Sequence, residues 1–232
     1  MLEPVKKVLK IIDDNNLWKE GIILIGSWCF FLYQKYFGVR KYPFKTQDID
    51  LLIKTPYRGK KKVSLVDIFE PLGFHHSFKA DGSIYLWNPE LKIEFLVPER
   101  GRGTDKAISI RELSIRAIPL RFLDIILDEP ITVEDEGVAI SIPNPAAFCL
   151  HKLLISQRRM KKDKKIKDME QALYVSEVLK LEEIDKLYST FPKKWKIRIK
   201  KSLEDAKLLF PLLNDLIDKL SFILQNLDNT KT

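Results

Sequence analysis

The chain has few residues of the types that build disulfide frameworks and zinc sites. Its 232 residues include only two cysteines and three histidines. Cys29 and Cys149 lie far apart, each in an apolar stretch, which favours buried free thiols over a disulfide or a metal pair. The histidines show no ligand spacing, and we expect His75 and His76 to lie in a surface loop after Gly73. The sequence therefore does not indicate a disulfide-stabilised or zinc-dependent protein.

Long hydrophobic runs, internal repeats and low-complexity tracts are also missing. The longest apolar run, around residues 21–33, is shorter than the roughly 20 residues that cross a bilayer. The first residues do not resemble a signal peptide. A hydrophobic content of 45% with 31% charged residues is ordinary for a globular protein. We therefore expect a cytoplasmic protein without a membrane partner.

Positive charge is concentrated in one part of the chain. The formal net charge is +8, and residues 151–201 contain 16 Lys or Arg against 7 Asp or Glu. Such a concentration suits a polyanion such as tRNA or another RNA, or the triphosphate of a nucleotide. A solvated basic surface without a partner is the alternative.

A glycine and a serine separate a predicted strand from a predicted helix near the N-terminus. Ile22–Ile25 is apolar and β-branched, and an apolar helical stretch follows over residues 28–36. Gly26 lacks a Cβ, so the backbone there can approach a ligand closely, and amides at the helix start would face a phosphate. We predict that Gly26 and Ser27 bind phosphate, although many glycines simply turn the chain.

Two aspartates alternate on the next predicted strand, Asp48–Ile53. The period of two places Asp48 and Asp50 on one face, roughly 6 to 7 Å apart at Cα, and turns Ile49 towards the core. The two carboxylates would repel each other unless a cation lay between them. Mg²⁺, with Mn²⁺ as a substitute, is the usual ion for such oxygen ligands and takes further ligands from water and substrate phosphates. An exposed strand face is the ordinary alternative.

A third carboxylate lies on a later strand, predicted over residues 91–97. Alternation along this strand allows Glu94 to join the polar face of Asp48 and Asp50, so the three carboxylates could hold two ions. Arg100 and Arg102 lie in the basic loop that follows. Their guanidinium groups could bind phosphate, or they could merely solvate a turn.

The pattern of elements predicts two domains, a mixed α/β domain over residues 1–142 and a helical domain over residues 143–232. A hairpin over residues 131–133 and 138–142 closes the first. Asn144 is a good N-cap with Pro145 at the first helical position. Lys152 lies off the Leu150 and Leu154 row of this helix and could therefore face a cleft.

The end of the chain predicts a leucine-rich helix within residues 203–227. Core packing is its default role, and a dimerisation helix is the alternative, so the oligomeric state stays open. The leucines at helical spacing are Leu208, Leu209, Leu212, Leu213, Leu216 and Leu220.

These motifs together resemble the nucleotidyltransferase fold of the DNA polymerase β superfamily. Its pattern is an apolar residue with Gly-Ser, an interval, and acid-apolar-acid, here Ile25-Gly26-Ser27 and Asp48-Ile49-Asp50. The interval is longer than in the commonest superfamily pattern. The chain is more narrowly similar to a prokaryotic family of nucleotidyltransferase-fold proteins of unassigned substrate. This narrower likeness is carried by residues 46–50, 119–124, 143–148, 151–153 and the basic stretch from 158 to 172.

The resemblance implies an α+β fold, with a polymerase β-like mixed sheet, flanking helices and a C-terminal helical lobe. It also implies a short helix over residues 119–127, although the β-branched residues there permit a strand. By similarity to the toxin nucleotidyltransferases of abortive-infection systems, Lys152 and Asp168 would line the active-site cleft from the helical side and bind nucleotide. The alternatives are a solvent-facing lysine and an ion pair between Asp168 and Lys164.

The implied activity is Mg²⁺-dependent transfer of a nucleoside monophosphate from an NTP, such as ATP, to an acceptor hydroxyl. Asp48, Asp50 and Glu94 would be the catalytic, metal-binding residues of a two-ion mechanism. RNA 3′ ends (including tRNA), protein hydroxyls and small molecules such as aminoglycosides are all admissible acceptors. The alternative is a catalytically inactive nucleotide- or RNA-binding module, for example one half of a toxin–antitoxin pair.

Overall fold

Two compact units make up the structure, a computed structural model that describes residues 1–41, 46–60, 62–101, 103–104 and 106–229. Residues 1–31 and 42–143 form the α/β unit, and residues 32–41 and 144–232 form the helical unit. The second boundary between the two units, at 143/144, lies one residue from the predicted boundary at 142/143. The sequence had not indicated that residues 32–41 group with the C-terminal helices.

The α/β unit contains the nine strands found in the described residues and the helices of the first part of the chain. Its strands are β1 (Ile22–Ile25), β2 (Asp48–Ile53), β3 (His75–Phe78), β4 (Ile84–Trp87), β5 (Lys92–Pro98), β6 (Ile108–Ile110), β7 (Ile115–Leu120), β8 (Ile131–Asp135) and β9 (Val138–Ile142). Its helices are α1 (Glu3–Asp14), the start of α2 (Gly26–Tyr36), α3 (Leu65–Phe69) and α4 (Leu123–Ile126).

The main sheet is mixed. Its order is β1-β2-β5-β4-β3, with β7 on the second half of β5 and β6 on β7. The β2–β5 and β5–β7 pairs are parallel, and the others are antiparallel. A parallel pair needs a long crossover, and the β3–β4 hairpin lies within the one that joins β2 to β5.

One end of a sheet face is covered by α4. Strand residues of β1, β2 and β5 bury their side chains there against the apolar side of the helix. The cluster consists of Ile23, Ile25, Leu52, Leu96, Leu123 and Ile126. Because side chains alternate along a strand, Asp50 projects from the same face of β2 as Leu52, and Glu94 from the same face of β5 as Leu96. The carboxylates therefore lie on this face, beyond the positions that pack in the cluster.

The β8–β9 hairpin forms a separate two-stranded sheet, as the alternation over residues 131–142 predicts. Strand β9 packs against α1 and β1. The Asp13 carboxylate accepts a hydrogen bond from the Ala139 amide at 3.3 Å, and Lys6 pairs with Glu136 at 2.6 Å.

The helical unit is built on α5 (Pro145–Ser156) and α6 (Lys162–Ser176), which pack against each other. The Asn144 side chain accepts a hydrogen bond from the Ala146 amide at 2.8 Å, so the predicted N-cap is confirmed. Residues 32–41 join this unit through ring contacts and charge. Tyr33 stacks edge-on against Phe148, and Arg40 pairs with Glu177 at 2.6 Å.

Two expectations about local structure were wrong. His75 and His76 are exposed residues of β3 rather than of a loop, because their backbone pairs with β4. Residues 119–127 are not one helix, because β7 ends at Leu120 and α4 begins after Phe122. Phe122 has a φ of 68°, which fits neither a strand nor a right-handed helix. A positive φ at a bulky residue interrupts any regular element.

The leucine-rich end of the chain is also interrupted. The helix α8 (Lys193–Leu209) ends before a 3₁₀ turn at Pro211–Leu213, and α9 (Asn214–Asn229) follows, while α7 (Leu181–Tyr188) precedes them. Pro211 lacks an amide hydrogen and cannot continue α8. Leu213 and Leu220 are buried, whereas Leu208 and Leu212 are exposed. Only part of the predicted stripe therefore packs in the core.

The expectation of buried thiols rather than a disulfide is confirmed. Cys29 and Cys149 are buried and form no disulfide, and burial raises the pKa of Cys149 to about 12. Among the residues that the structure describes, no helix has the length and apolar character needed to cross a membrane.

The α+β fold class is confirmed: a mixed sheet with flanking helices precedes a C-terminal helical region.

Candidate active site

Gly26 ends β1 and begins α2 with a φ of +74°, a backbone conformation that favours glycine. In the antiparallel pair of β1 and β2, Ile25 lies opposite Asp50. A Cβ at position 26 would lie 3.4 Å from Cγ of Asp50 and still closer to its Oδ2. The turn therefore lies directly against the carboxylate. Ser27, in the first turn of α2, is buried.

The three predicted carboxylates lie on neighbouring strands. Strands β2 and β5 run parallel, with Asp48 opposite Lys92 and Asp50 opposite Glu94. Opposite residues of adjacent strands project from the same face, about 4.8 Å apart along the hydrogen-bonding direction. The side chain of Asp48 is 57% exposed and that of Glu94 is 17% exposed. The structure therefore places all three on one face of the sheet, with Asp50 next to Gly26.

Glu94 is held by two lysines. Its Oε1 accepts a hydrogen bond from Lys79 Nζ at 2.7 Å and another from Lys92 Nζ. The ammonium of Lys92 also lies 3.9 Å from Oδ1 of Asp48. Burial alone would raise the pKa of Glu94, but the two lysine hydrogen bonds outweigh it and lower the pKa. Glu94 is therefore an ionised, paired carboxylate.

The donor set of this face suits a hard divalent cation. Asp48 and Asp50 offer carboxylate oxygens, and Mg²⁺ is commonly bound by one or two carboxylates with water and substrate phosphate as its other ligands. Within the described part of the chain, no three His, Cys, Asp or Glu side chains are grouped as a ready metal site. Glu94 Oε1 already accepts hydrogen bonds from Lys79 and Lys92.

Lys152 and Asp168 meet inside the helical unit. Lys152 Nζ donates to Asp168 Oδ1 at 2.6 Å, and Arg159 Nε donates to Asp168 Oδ2 at 2.6 Å. Lys152 and Asp168 are buried, with 9% and 3% of their surface exposed. Burial raises the pKa of Asp168, but the two cations outweigh it, and the pKa is lowered. Lys152 is thus a buried, ion-paired residue rather than a solvent-facing one, and the partners of Asp168 include Lys152 and Arg159.

His151 is buried beside this ion pair. Neither Nδ1 nor Nε2 has a hydrogen-bond partner among the described residues, and the Gln171 amide on α6 is likewise buried without one. Burial, reinforced by the charge of Lys152, lowers the pKa of His151 from 6.5 to about 3. The imidazole is therefore neutral in the folded protein at neutral pH.

This burial makes the stability of the chain depend on pH. Between pH 6.5 and about 3, the unfolded state binds a proton at His151 that the folded state excludes, so the free energy of unfolding falls as pH falls. Between neutral pH and about pH 5, we expect wild type to lose about 2 kcal/mol more than His151→Leu. Urea unfolding at both pH values measures this difference. The exposed His76→Gln serves as the control, and parallel pH profiles for wild type and His151→Leu would contradict the expectation.

Of the two arginines predicted to bind phosphate in the loop after β5, the structure describes only Arg100. Arg100 is exposed and donates a hydrogen bond to the carbonyl of Thr55, which ties the loop after β5 to the end of β2. Arg102 lies outside the described residues.

Three charged residues next to the predicted sites were missed from the sequence. Lys92 could have been found, because it lies two residues before Glu94 and therefore on the same face of β5. Lys79 reaches Glu94 from the β3–β4 turn, and Arg159 reaches Asp168 from the segment between α5 and α6. Neither has a local signal in the sequence.

A sequence model described as "Nucleotidyltransferase" matches residues 3–195. The chain belongs to this nucleotidyltransferase family. The match includes Gly26, the three carboxylates and the Lys152–Asp168 pair. The predicted family and enzyme class are thereby confirmed, and the general reaction of the family is transfer of a nucleoside monophosphate. No protein of curated function matches the chain in a sequence comparison.

Solved structures resemble this nucleotidyltransferase at low sequence identity. An antigenic nucleotidyltransferase-like protein from Paracoccidioides brasiliensis is 13% identical with a TM-score of 0.53, and the match covers 93% of this chain and 92% of that one. This likeness shows a shared fold, so the predicted polymerase β-like nucleotidyltransferase architecture is confirmed.

Two structures of the antibiotic-resistance factor ANT(2″)-Ia also match. The solution structure is 16% identical, with a TM-score of 0.46, over 83% of this chain and 91% of that one. The crystal structure in complex with adenylyl-2″-tobramycin is 15% identical, with a TM-score of 0.46, over 82% and 96%.

Proposed function

We propose that this nucleotidyltransferase transfers a nucleoside monophosphate from an NTP to an acceptor hydroxyl in a Mg²⁺-dependent reaction that releases pyrophosphate. One observation carries the proposal. The Asp50 carboxylate lies against the Gly26 turn at the start of α2, and Glu94 lies opposite Asp50 on the adjacent strand. A phosphate-binding turn and metal-binding carboxylates in direct contact are what this reaction needs.

The residues of the α/β unit have distinct proposed roles. Asp48 and Asp50 hold the divalent ion, for which Mn²⁺ can substitute. The amides of Gly26 and Ser27 bind the outer phosphates, aided by the positive end of the α2 dipole. A bound ion would neutralise phosphate charge and stabilise the attacking and leaving oxygens of an in-line displacement. In the two-ion form of the mechanism, Glu94 either helps to hold the second ion or accepts the proton of the acceptor hydroxyl.

Further nucleotide contacts are proposed for Lys152, Asp168, Arg100 and Arg102. Lys152 suits a phosphate because an ammonium is a compact charge with three donors. Arg159 can keep Asp168 paired when Lys152 turns to another partner, since each cation binds a different oxygen of that carboxylate. The arginines of the loop after β5 would add planar phosphate donors.

The acceptor and the base of the NTP are open within this proposal. ATP is a candidate NTP, and RNA (including tRNA), protein hydroxyls and small molecules are candidate acceptors in a cytoplasmic protein. The excess of Lys and Arg over residues 151–201 favours a second candidate function, binding of RNA or nucleotide without catalysis.

Pyrophosphate release separates the two candidates. The full chain is incubated with each of the four NTPs, with Mg²⁺ or with EDTA, in the presence of RNA, a protein mixture or an aminoglycoside. The transferase predicts pyrophosphate release with at least one NTP in Mg²⁺ and none in EDTA. Tight RNA binding that persists in EDTA, together with no pyrophosphate in any mixture, would favour the non-catalytic module instead.

A further inference from the structure

Two lysines lie among the carboxylates of the candidate active site, and the family pattern of glycine and acids does not include them. Lys92 is opposite Asp48 on the sheet, with 3.9 Å between its Nζ and Asp48 Oδ1, and it donates to Glu94 Oε1. Lys79 donates to the same oxygen at 2.7 Å. One carboxylate oxygen thus accepts hydrogen bonds from two ammonium groups.

Both lysines are directed to this position by the fold. The backbone of Lys79 closes the β3–β4 turn, because its amide donates to the Ser83 carbonyl and its carbonyl accepts from the Gly82 amide, each at 2.9 Å. Lys92 begins β5, and its ammonium lies 5.2 Å from the centre of the Tyr85 ring. The side chains of Lys79 and Lys92 are 31% and 34% exposed, so neither lysine is sealed in the interior and both can turn to another partner.

The lysines and a metal ion compete for Glu94. A divalent ion bound to Oε1 would occupy the position of the ammonium groups, and like charges so close repel strongly in a partly buried site. An ion can therefore bind this oxygen of Glu94 only if the lysines leave it. Released lysines would then carry unpaired charge beside the nucleotide phosphates, which are strong hydrogen-bond acceptors for an ammonium.

We propose that Lys79 and Lys92 are phosphate-binding residues that rest on Glu94 until the nucleotide arrives. The triphosphate draws the lysines away and so frees Glu94 for the ion. This inference rests on the proposed function and makes metal binding at Glu94 conditional on nucleotide binding. Without nucleotide, the lysines weaken ion binding; with nucleotide, they strengthen phosphate binding.

The double variant Lys79→Met, Lys92→Met tests the proposal through two opposite changes. Mn²⁺ binding to the full chain without nucleotide is measured by electron paramagnetic resonance, and pyrophosphate binding by calorimetry. The affinity for Mn²⁺ should rise about tenfold or more, because the competing cations are gone. The affinity for pyrophosphate should fall about tenfold or more, because charge-assisted hydrogen bonds are lost.

A matched control removes the same charge elsewhere on the α/β unit. Lys62→Met, Lys106→Met changes two exposed lysines and should leave both affinities near those of wild type. If Mn²⁺ and pyrophosphate affinities of the Lys79→Met, Lys92→Met protein fall together, or if Mn²⁺ affinity does not change, the lysines only support the fold and the proposal is wrong. Neither measurement needs turnover, so this result is independent of the pyrophosphate-release assay.

Glu94→Gln gives a second test that keeps both lysines. Freed from Glu94, they should bind pyrophosphate more tightly in EDTA, and the gain should vanish in the Lys79→Met, Lys92→Met background. Glu90→Gln, an exposed acid between β4 and β5, controls for the general loss of negative charge. An equal gain with and without the lysines would overturn the proposal.

Discussion

Asp50→Asn is expected to lower kcat for nucleotidyl transfer by about 1,000-fold or more, which corresponds to about 4 kcal/mol of transition-state stabilisation. The amide keeps the shape of the side chain but removes the charge that is proposed to hold the divalent ion. Asp50 lies against the Gly26 turn, so the loss occurs where metal and phosphate would meet. Asp48→Asn should have an effect of the same kind.

The fold should tolerate both substitutions. Asp48 is largely exposed, and Asn differs from Asp mainly in charge, so we expect urea midpoints close to wild type. Asp67→Asn, on an exposed position of α3, is the matched control and should transfer label at the wild-type rate. Wild-type transfer by Asp48→Asn or Asp50→Asn would remove the two aspartates from the proposed mechanism.

Asp168→Ala is expected to lower the free energy of unfolding by about 3 to 5 kcal/mol, because it leaves the buried ammonium of Lys152 without its carboxylate. Lys152→Met should cost less, since Asp168 keeps Arg159 as a partner and the methionine fills a similar volume. Urea unfolding at neutral pH measures both losses. Asp163→Ala, at an exposed position in the first turn of α6, should cost less than about 1 kcal/mol.

The pH dependence of the Asp168 effect has a definite sign. The pKa of Asp168 is lowered in the folded state, so its stabilising contribution is present above the unfolded pKa of about 3.9 and declines as pH falls below it. The difference in free energy of unfolding between wild type and Asp168→Ala should therefore become smaller below about pH 4. A difference in free energy of unfolding that grows in acid would contradict a buried ion pair of this kind. So would equal losses of free energy of unfolding for Asp168→Ala and Lys152→Met.

Elements with a local signal could be predicted from the sequence. The strand that ends before Gly26 and the strand that begins at Asp48 have the apolar residues typical of strands. The Asn144 cap marks the start of α5. Alternation alone predicted that Asp48 and Asp50 share a face. These features depend on residues a few positions apart, where backbone geometry determines which side chains lie together.

Contacts between distant segments could not be predicted in the same way. Alternation allowed Glu94 to join the face of Asp48 and Asp50, but no local pattern gives the register that sets Glu94 opposite Asp50, since the β3–β4 hairpin lies between the two strands in the chain. The same holds for the Lys79 contact, which depends on the position of a turn. The Lys152–Asp168 ion pair could not be predicted either, because the two residues lie sixteen positions apart on different helices.

The close approach of Gly26 to Asp50 has a consequence for how the turn tolerates change. A methyl group at position 26 would need the space that the Asp50 carboxylate occupies, so that side chain would have to rotate away. A substitution in the turn at Gly26 would thus act first on Asp50, a candidate metal ligand on the neighbouring strand. A side chain at position 26 would therefore require a smaller or displaced side chain at position 50.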